Sequence, residues 1–368
     1  MRMSATTPLR AGVIGLGWAG QQHMQGYLEA ANAELVAICG QEGDVAARLA
    51  GQFGVEQTYR EVSDLLRDAQ LDVVSIATPT SLHAPMAIAA LDAGVHVLSE
   101  KPIAENATTA AMMVAAARRN DRVLEVSYNH RRRGVVTALK QAIDDGMLGK
   151  IYYAKAGWVR RQGIPGLGTW FTRKDSAGGG PFMDIGVHMV DMALHLLGEP
   201  GVSAVSANTY AEFGPRGLGG STGYRGTSAG TTDYEVEDLA TAFCRLDDGG
   251  TLVVEASWAQ WVPHDLCFVD LYGSEAGAHL QWGSPTSGDG GELVIMTDVQ
   301  GRPAEIRPQI PANGGHSACV AEFCDLVLSG DRQGVDGSLS LTRAGLIDAA
   351  YASAAQQREV LTTQPEIG

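Results

Sequence analysis

The chain has 368 residues, 45% of them hydrophobic, and a formal net charge of −15. That length predicts about two domains, each with enough apolar side chain for a core of its own. The acidic balance excludes a nucleic-acid partner, whose phosphates need a basic face. The five cysteines are scattered and form no CxxC pair, as expected of reduced thiols in a reducing compartment. No run of about 18 apolar residues is present, and the stretch from Met1 to Arg10 lacks the apolar core of a signal peptide. No membrane partner and a cytoplasmic location are therefore expected.

The first third alternates short apolar runs with helical stretches. Apolar runs at Leu9–Gly15, Glu34–Cys39, Asp72–Ala77, Val95–Ser99 and Val123–Val126 are separated by helical patterns at Ala19–Ala31, Asp44–Phe53, Ser63–Arg67, Ala84–Ala93 and Ala107–Arg119. Such alternation predicts a doubly wound parallel sheet covered on both faces, a Rossmann-type dinucleotide-binding domain over 1–127.

The pattern then changes. A strongly helical segment, Pro181–Leu197, precedes strand-like runs at Val202–Tyr210, Glu235–Leu246, Thr251–Trp261, Leu266–Tyr272 and Glu292–Thr297. Asp247-Asp248-Gly249-Gly250 lies between two of them as a hairpin signal. Residues 128–368 thus read as an α+β domain with a large, mainly antiparallel sheet, for substrate binding and oligomerisation. The chain as a whole is α/β. Gly214–Gly230 reads as a mobile loop and Gly283–Gly291 as a turn. Ser317–Leu328 and Leu341–Gln356 read as helices, and the last helix, about 338–357, is expected to pack back on the first domain.

Gly15-Leu16-Gly17-Trp18-Ala19-Gly20 is a GxGxxG that follows a strand and opens a helix, with a second strand ending about 20 residues on. That context turns a weak hexapeptide into a dinucleotide fingerprint. Gly15 permits the tight turn, Gly17 the approach of a pyrophosphate, and Gly20 close helix packing; Trp18 and Ala19 carry the helix N-terminal amides. After the second strand, the position of the expected ribose-binding acid is Gly40, with Glu42 two residues on and no basic residue before Arg48. Acids at 42 and 44 would repel a 2′-phosphate, which favours NAD over NADP.

Glu100-Lys101-Pro102 ends a predicted strand, where ligands of open α/β sheets bind. Lys101 there points to a crevice, although from position alone a solvated surface lysine is the better account. Pro102 is a candidate cis proline that would fix the direction of Lys101.

Gly15–Gly20, Ala77-Thr78-Pro79 with His83, and Glu100-Lys101-Pro102 together resemble the glucose–fructose oxidoreductase/inositol dehydrogenase family (Gfo/Idh/MocA). The resemblance implies that Lys101 contacts the reacting hydroxyl and the nicotinamide region. It also implies that Thr78, Pro79, His83 and Glu100 line the cofactor.

Asp184, His188, Asp191 and His195 are spaced to share one face of a helix whose remaining residues are largely apolar. A polar stripe on a mostly buried helix lines a cleft or faces water. A zinc site is the competing reading, with neither a cysteine nor a third histidine nearby, and no metal is expected. His195, near the helix end, reads as a structural or capping histidine. Gly178-Gly179-Gly180, Asp184, Gly186, His188 and Asp191 resemble the family's second signature, which implies that Asp184 and His188 complete the catalytic set with Lys101.

Alcohol oxidation by this set would use His188 as base, Lys101 to stabilise the alkoxide and Asp184 to hold a substrate hydroxyl, with Asp191 supporting His188. Asn129 and Arg131, beside Tyr128, follow the last strand of the first domain and are substrate candidates, although Arg131 also reads as a surface charge. Trp158, Arg161 and Trp170 flank the polar helix; their contact with a sugar ring and a place in the core are equally compatible with the pattern. His316 is a weaker candidate. The expectation is an NAD-dependent dehydrogenase oxidising a secondary hydroxyl of a sugar, glycoside, anhydrosugar or inositol. Rivals are an NADPH-dependent keto-sugar or imine reductase, an NAD-dependent glycosidase, and a non-catalytic sensor. The family resemblance also implies a homodimer or homotetramer.

Overall fold

The computed structural model describes residues 7–221, 234–283, 290–363, 365 and 367. Most of the Gly214–Gly230 stretch and of the turn expected at Gly283–Gly291 lies outside the described residues.

Six parallel strands form the first sheet: β1 (Leu9–Ile14), β2 (Ala33–Cys39), β3 (Gln57–Tyr59), β4 (Val73–Ile76), β5 (His96–Ser99) and β6 (Leu124–Val126). Helices α1 (Trp18–Glu29), α2 (Gly43–Phe53), α3 (Val62–Asp68), α4 (His83–Asp92) and α5 (Ala107–Asn120) connect them. The order β3-β2-β1-β4-β5-β6 reverses direction between β1 and β4. That reversal opens a crevice at the carboxyl ends of the strands. The strands are continuous apolar runs because both sheet faces are covered; all four residues of β4 are buried.

The second sheet has nine strands. They are β7 (Ile151–Val159), β8 (Val202–Tyr210), β9 (Leu239–Leu246), β10 (Thr251–Ser257), β11 (Leu266–Gly273), β12 (Gly277–Trp282), β13 (Glu292–Val299), β14 (Arg302–Ile306) and β15 (Val360–Leu361). Every pairing is antiparallel except β7 with β10. Alternate burial along β9 to β12 shows one face packed and the other open. The Asp247–Gly250 turn joins β9 to β10 as expected, with Gly249 at φ +86°.

Helices α6 (Gly134–Asp144), α7 (Lys174–Ala177), α8 (Val187–Leu196), α9 (Gly315–Ser329) and α10 (Ser338–Gln356) complete the chain. The last helix packs on both α5 and β8, and α9 packs on α1. The Leu124 N–H donates to the Val335 carbonyl at 2.9 Å. The C-terminal segment thus returns to the first sheet.

Five strands lie outside the sequence expectation: β3, β7, β12, β14 and β15. The helix expected over 181–197 is not α-helical throughout. Residues Phe182–Gly186 form a π turn, and the α-helix begins at Val187. The wider turn lies where Gly186 packs close to Ala256, and such π insertions gather at functional sites.

Candidate active site

The phosphate loop is built by close packing. Gly15 has φ +105°, and a Cβ there would meet the Ala77 carbonyl oxygen at 2.2 Å. A Cβ on Gly20 would meet the Gly15 oxygen at 2.0 Å, whereas Gly17 has nothing within 4 Å. Gly17 also caps α1 with extended backbone and no side-chain hydrogen bond. The first amides of α1, at Trp18, Ala19 and Gly20, therefore face an open approach, the cradle a pyrophosphate requires. Gly40 at the end of β2 lies against the same loop: a Cβ there would meet Leu16 Cγ at 2.5 Å. Leu16 thus occupies the space around the expected acid position, and Glu42 stands exposed at the N-cap of α2. Thr78 and Pro79 follow β4 at the switch point and are half-buried. These residues fit an NAD-type dinucleotide.

Two residues expected to line the cofactor face inward instead. His83 is 1% exposed, its ring nitrogens 2.8 Å from the Pro102 carbonyl and 2.9 Å from the Thr78 carbonyl. It ties the two crevice loops together from beneath. Glu100 is also buried: its Oε2 accepts the Lys101 N–H at 3.1 Å, and its Oε1 lies 3.0 Å from His23 Nε2 and 3.5 Å from His316 Nε2. Burial works to raise the Glu100 pKa, but hydrogen bonds and charge from His23 and His316 hold it well below the usual range. These three groups have the donor types of a cation site. They already satisfy one another, with His23 Nδ1 a further 2.9 Å from Ser75 Oγ.

Lys101 lies two residues past the end of β5 and is joined to Pro102 by a cis bond. Its Nζ donates to Asp184 Oδ1 at 2.9 Å and to the Asp184 carbonyl at 3.0 Å. Asp184 Oδ2 accepts from the Trp258 indole at 2.9 Å. Burial pushes the Asp184 pKa up, yet Lys101, Arg160 and these hydrogen bonds bring it below the ordinary value, so the carboxylate is ionised. His188, the next turn of the same segment, is buried. Burial, then His130, then Lys101 hold its pKa well below 6.5, so its imidazole is neutral.

The remaining stripe does other work. Asp191 does not support His188; it accepts bidentately from Arg131, through Nη2 and through Nε at 2.7 Å, and from Arg343 Nε at 3.0 Å. Arg131, expected near substrate, is thereby a half-buried structural partner of α8. His195 lies 3.8 Å from the Glu199 carboxylate near the helix end. Asn129 is half-buried in the turn after β6. Trp158 joins the site, its ring 5.9 Å from that of His188. Arg161 is exposed over Trp261 at 4.3 Å, and Trp170 stacks on Phe171 at 3.9 Å. Among the described residues their contacts are with Trp261, Asp265 and Phe171, not with Lys101, Asp184 or His188.

Three site residues escaped the sequence reading. His130 packs on His188 with ring centroids 4.4 Å apart; its place one residue after Asn129 was a usable signal, masked by the arginine run behind it. Trp258 sits just past the carboxyl end of β10, where an indole N–H needs a partner. Glu237 accepts from the amides of Gly180 and Phe182 and from the Tyr351 hydroxyl. It anchors the turn that delivers Asp184, and nothing in its local sequence marks it.

A GxGxxG crevice with a lysine–aspartate–histidine group at its mouth defines a dinucleotide-dependent oxidoreductase. Residues 9–128 match the model of an oxidoreductase family with an NAD-binding Rossmann fold, and 136–279 match the GFO/IDH/MocA C-terminal domain. The chain belongs to the Gfo/Idh/MocA family. It is 33% identical to D-glucoside 3-dehydrogenase of Escherichia coli (strain K12), over 79% of this chain and 82% of that protein. Levoglucosan dehydrogenase of Pseudarthrobacter phenanthrenivorans is 29% identical over 73% and 72%. A solved structure of levoglucosan dehydrogenase in complex with NADH superposes with TM-score 0.84, at 25% identity, covering 98% of this chain and 100% of that one.

Proposed function

We propose that the protein is an NAD-dependent dehydrogenase that oxidises a secondary ring hydroxyl of a pyranose-type sugar, glycoside, anhydrosugar or cyclitol to the ketone. The observation that carries this reading is the Lys101–Asp184 contact of 2.9 Å between the end of β5 and the π turn, with His188 one turn on. It brings an ammonium, a carboxylate and a neutral imidazole together at the mouth of the dinucleotide crevice. The names of the relatives favour a glucoside-like substrate, and a hydroxyl at ring carbon 3 in particular. Bound NAD supplies the hydride acceptor, held by the α1 amides and Gly17.

Alcohol oxidation separates a hydride from carbon and a proton from oxygen. Neutral His188 takes the hydroxyl proton. Lys101 donates to the same oxygen and stabilises the alkoxide as charge develops. Asp184 fixes Lys101 through Oδ1 and accepts from a substrate hydroxyl, while Trp258 keeps the carboxylate from rotating. The indole of Trp158 offers an apolar wall to the ring.

The test is a panel of pyranosides, anhydrosugars and inositols assayed for NADH and NADPH formation, followed by Lys101→Ala and His188→Ala on the preferred substrate. Each substitution is expected to lower kcat by about 10²–10⁴-fold while NAD still binds. Wild-type turnover in either variant removes that residue from the mechanism. Preference for NADP would overturn the cofactor assignment built on Glu42.

A further inference from the structure

We infer that His130 is a positioning residue for His188, its locked ring holding the imidazole in place where no hydrogen bond does so. This rests on the reading of His188 as the proton acceptor. An active-site histidine base is ordinarily oriented by a third group bonded to its far nitrogen. Here the buried His188 Nδ1 has no hydrogen-bond partner among the described residues. Asp191, the acid nearest in helical spacing, is committed to Arg131 and Arg343. What lies against the imidazole is aromatic: His130 edge-to-face at 82° with centroids 4.4 Å apart, and Trp158 at 5.9 Å.

His130 can act as a fixed wall because its own ring is held on several sides. Arg133 Nε donates to His130 Nδ1 at 2.8 Å. A guanidinium has no acceptor, so Nδ1 must accept and the ring proton sits on Nε2. The ring also stacks on Trp282 at 5.7 Å and 18°, and meets Trp158 edge-on at 5.1 Å. Arg133 is held in turn over Trp282 at 4.6 Å. Burial, with Arg133 and Lys101 adding to it, keeps His130 neutral, its pKa lowered to about 3.

The groups that act on His188 come from several elements. They are His130 from the turn after β6, Lys101 and Glu100 from the end of β5, and His316 from α9. Among the described residues, only His130 and Trp158 share a ring contact with it. Truncating His130 removes the wall and admits water, so the imidazole gains freedom and solvation together.

The experiment compares wild type, His130→Ala, His130→Phe and Arg133→Met, with His188→Ala as control, each saturated with NAD. Turnover is measured on the panel's preferred sugar, and the histidine rings are titrated by 15N NMR, with His188→Ala assigning the His188 signal. His130→Ala is expected to lower kcat on the order of 10²-fold, the cost of a misplacement of about 1 Å, with KM and NAD affinity within about threefold. Its His188 signal is expected to titrate nearer 6.5 than in wild type. His130→Phe keeps a ring against His188 and is expected to recover most of the turnover and the low titration. Arg133→Met leaves the ring but frees it, and is expected to fall between. If His130→Ala does not fold, His130→Phe and Arg133→Met carry the comparison, and equal turnover in Arg133→Met and wild type overturns the inference. Wild-type rate and an unmoved His188 signal in His130→Ala also overturn it while leaving the base assignment standing. Full activity in His188→Ala instead removes the base assignment, and the positioning role with it.

Discussion

Lys101, Asp184 and His188 show how neighbours decide what a titratable group does. Asp184 is half-buried, and its desolvation alone would favour the neutral form, but Lys101 at 2.9 Å keeps it charged. His188 is buried beside cationic Lys101, and both effects favour its neutral form. A base whose pKa lies well below 6.5 is ready to accept a proton throughout the neutral range. The acid limb of kcat/KM, which reports the free enzyme, is therefore expected well below pH 6.5. An acid limb centred at or above 6.5 would show that the working group is not the buried imidazole. All three residues were legible in the sequence, as a lysine at a strand end and a polar stripe at helical spacing. Their pairing was not, because Lys101 and Asp184 are 83 positions apart and only the fold brings them together.

At the scale of elements, the glycines of the phosphate loop separate folding from binding. Gly17 has room for a Cβ on the protein side, so Gly17→Ala is expected to melt within a few degrees of wild type. Its methyl points into the pyrophosphate approach, and NAD affinity is expected to fall by about tenfold, roughly 1.4 kcal/mol. Gly20→Ala drives a Cβ to 2.0 Å from the Gly15 carbonyl, so both the melting temperature and NAD binding are expected to fall. Thermal melts with and without NAD read the two effects, and equal behaviour of the two variants would count against the cradle. The helix over 181–197 was legible from its apolar run. Its opening π turn was not, because it depends on how Gly186 meets Ala256 and on Glu237 holding the amides of Gly180 and Phe182.

Across the whole molecule, an ion network ties α8, α10 and the turn after β6 together. Arg343 on α10 is 1% exposed and pairs with Asp191 on α8 and with Glu199 at 2.5 Å; Arg131 after β6 completes the group. Breaking a buried pair from one side strands the partner charge, at a cost of about 3–5 kcal/mol. Arg343→Met is expected to lose that much stability in urea unfolding, and a loss under about 1 kcal/mol would show the network to be dispensable. Because α8 also carries His188 and the turn after β6 carries His130, the same network sets one half of the site against the other. Among the described residues no helix is long and apolar enough to cross a membrane.

The sequence by itself determined the parallel first sheet, the glycine cradle and the identity of the lysine, aspartate and histidine, since these are set by local periodicity and by residue chemistry at strand ends. It did not determine the strands β7 and β12, the inward turn of His83 and Glu100, or the diversion of Asp191 and Arg131 into an ion network. Those follow from which charges find partners when distant segments are packed together. A buried charge cannot remain unpaired, so the partner available in three dimensions, not the spacing along the chain, decides whether a polar residue serves the substrate or the scaffold.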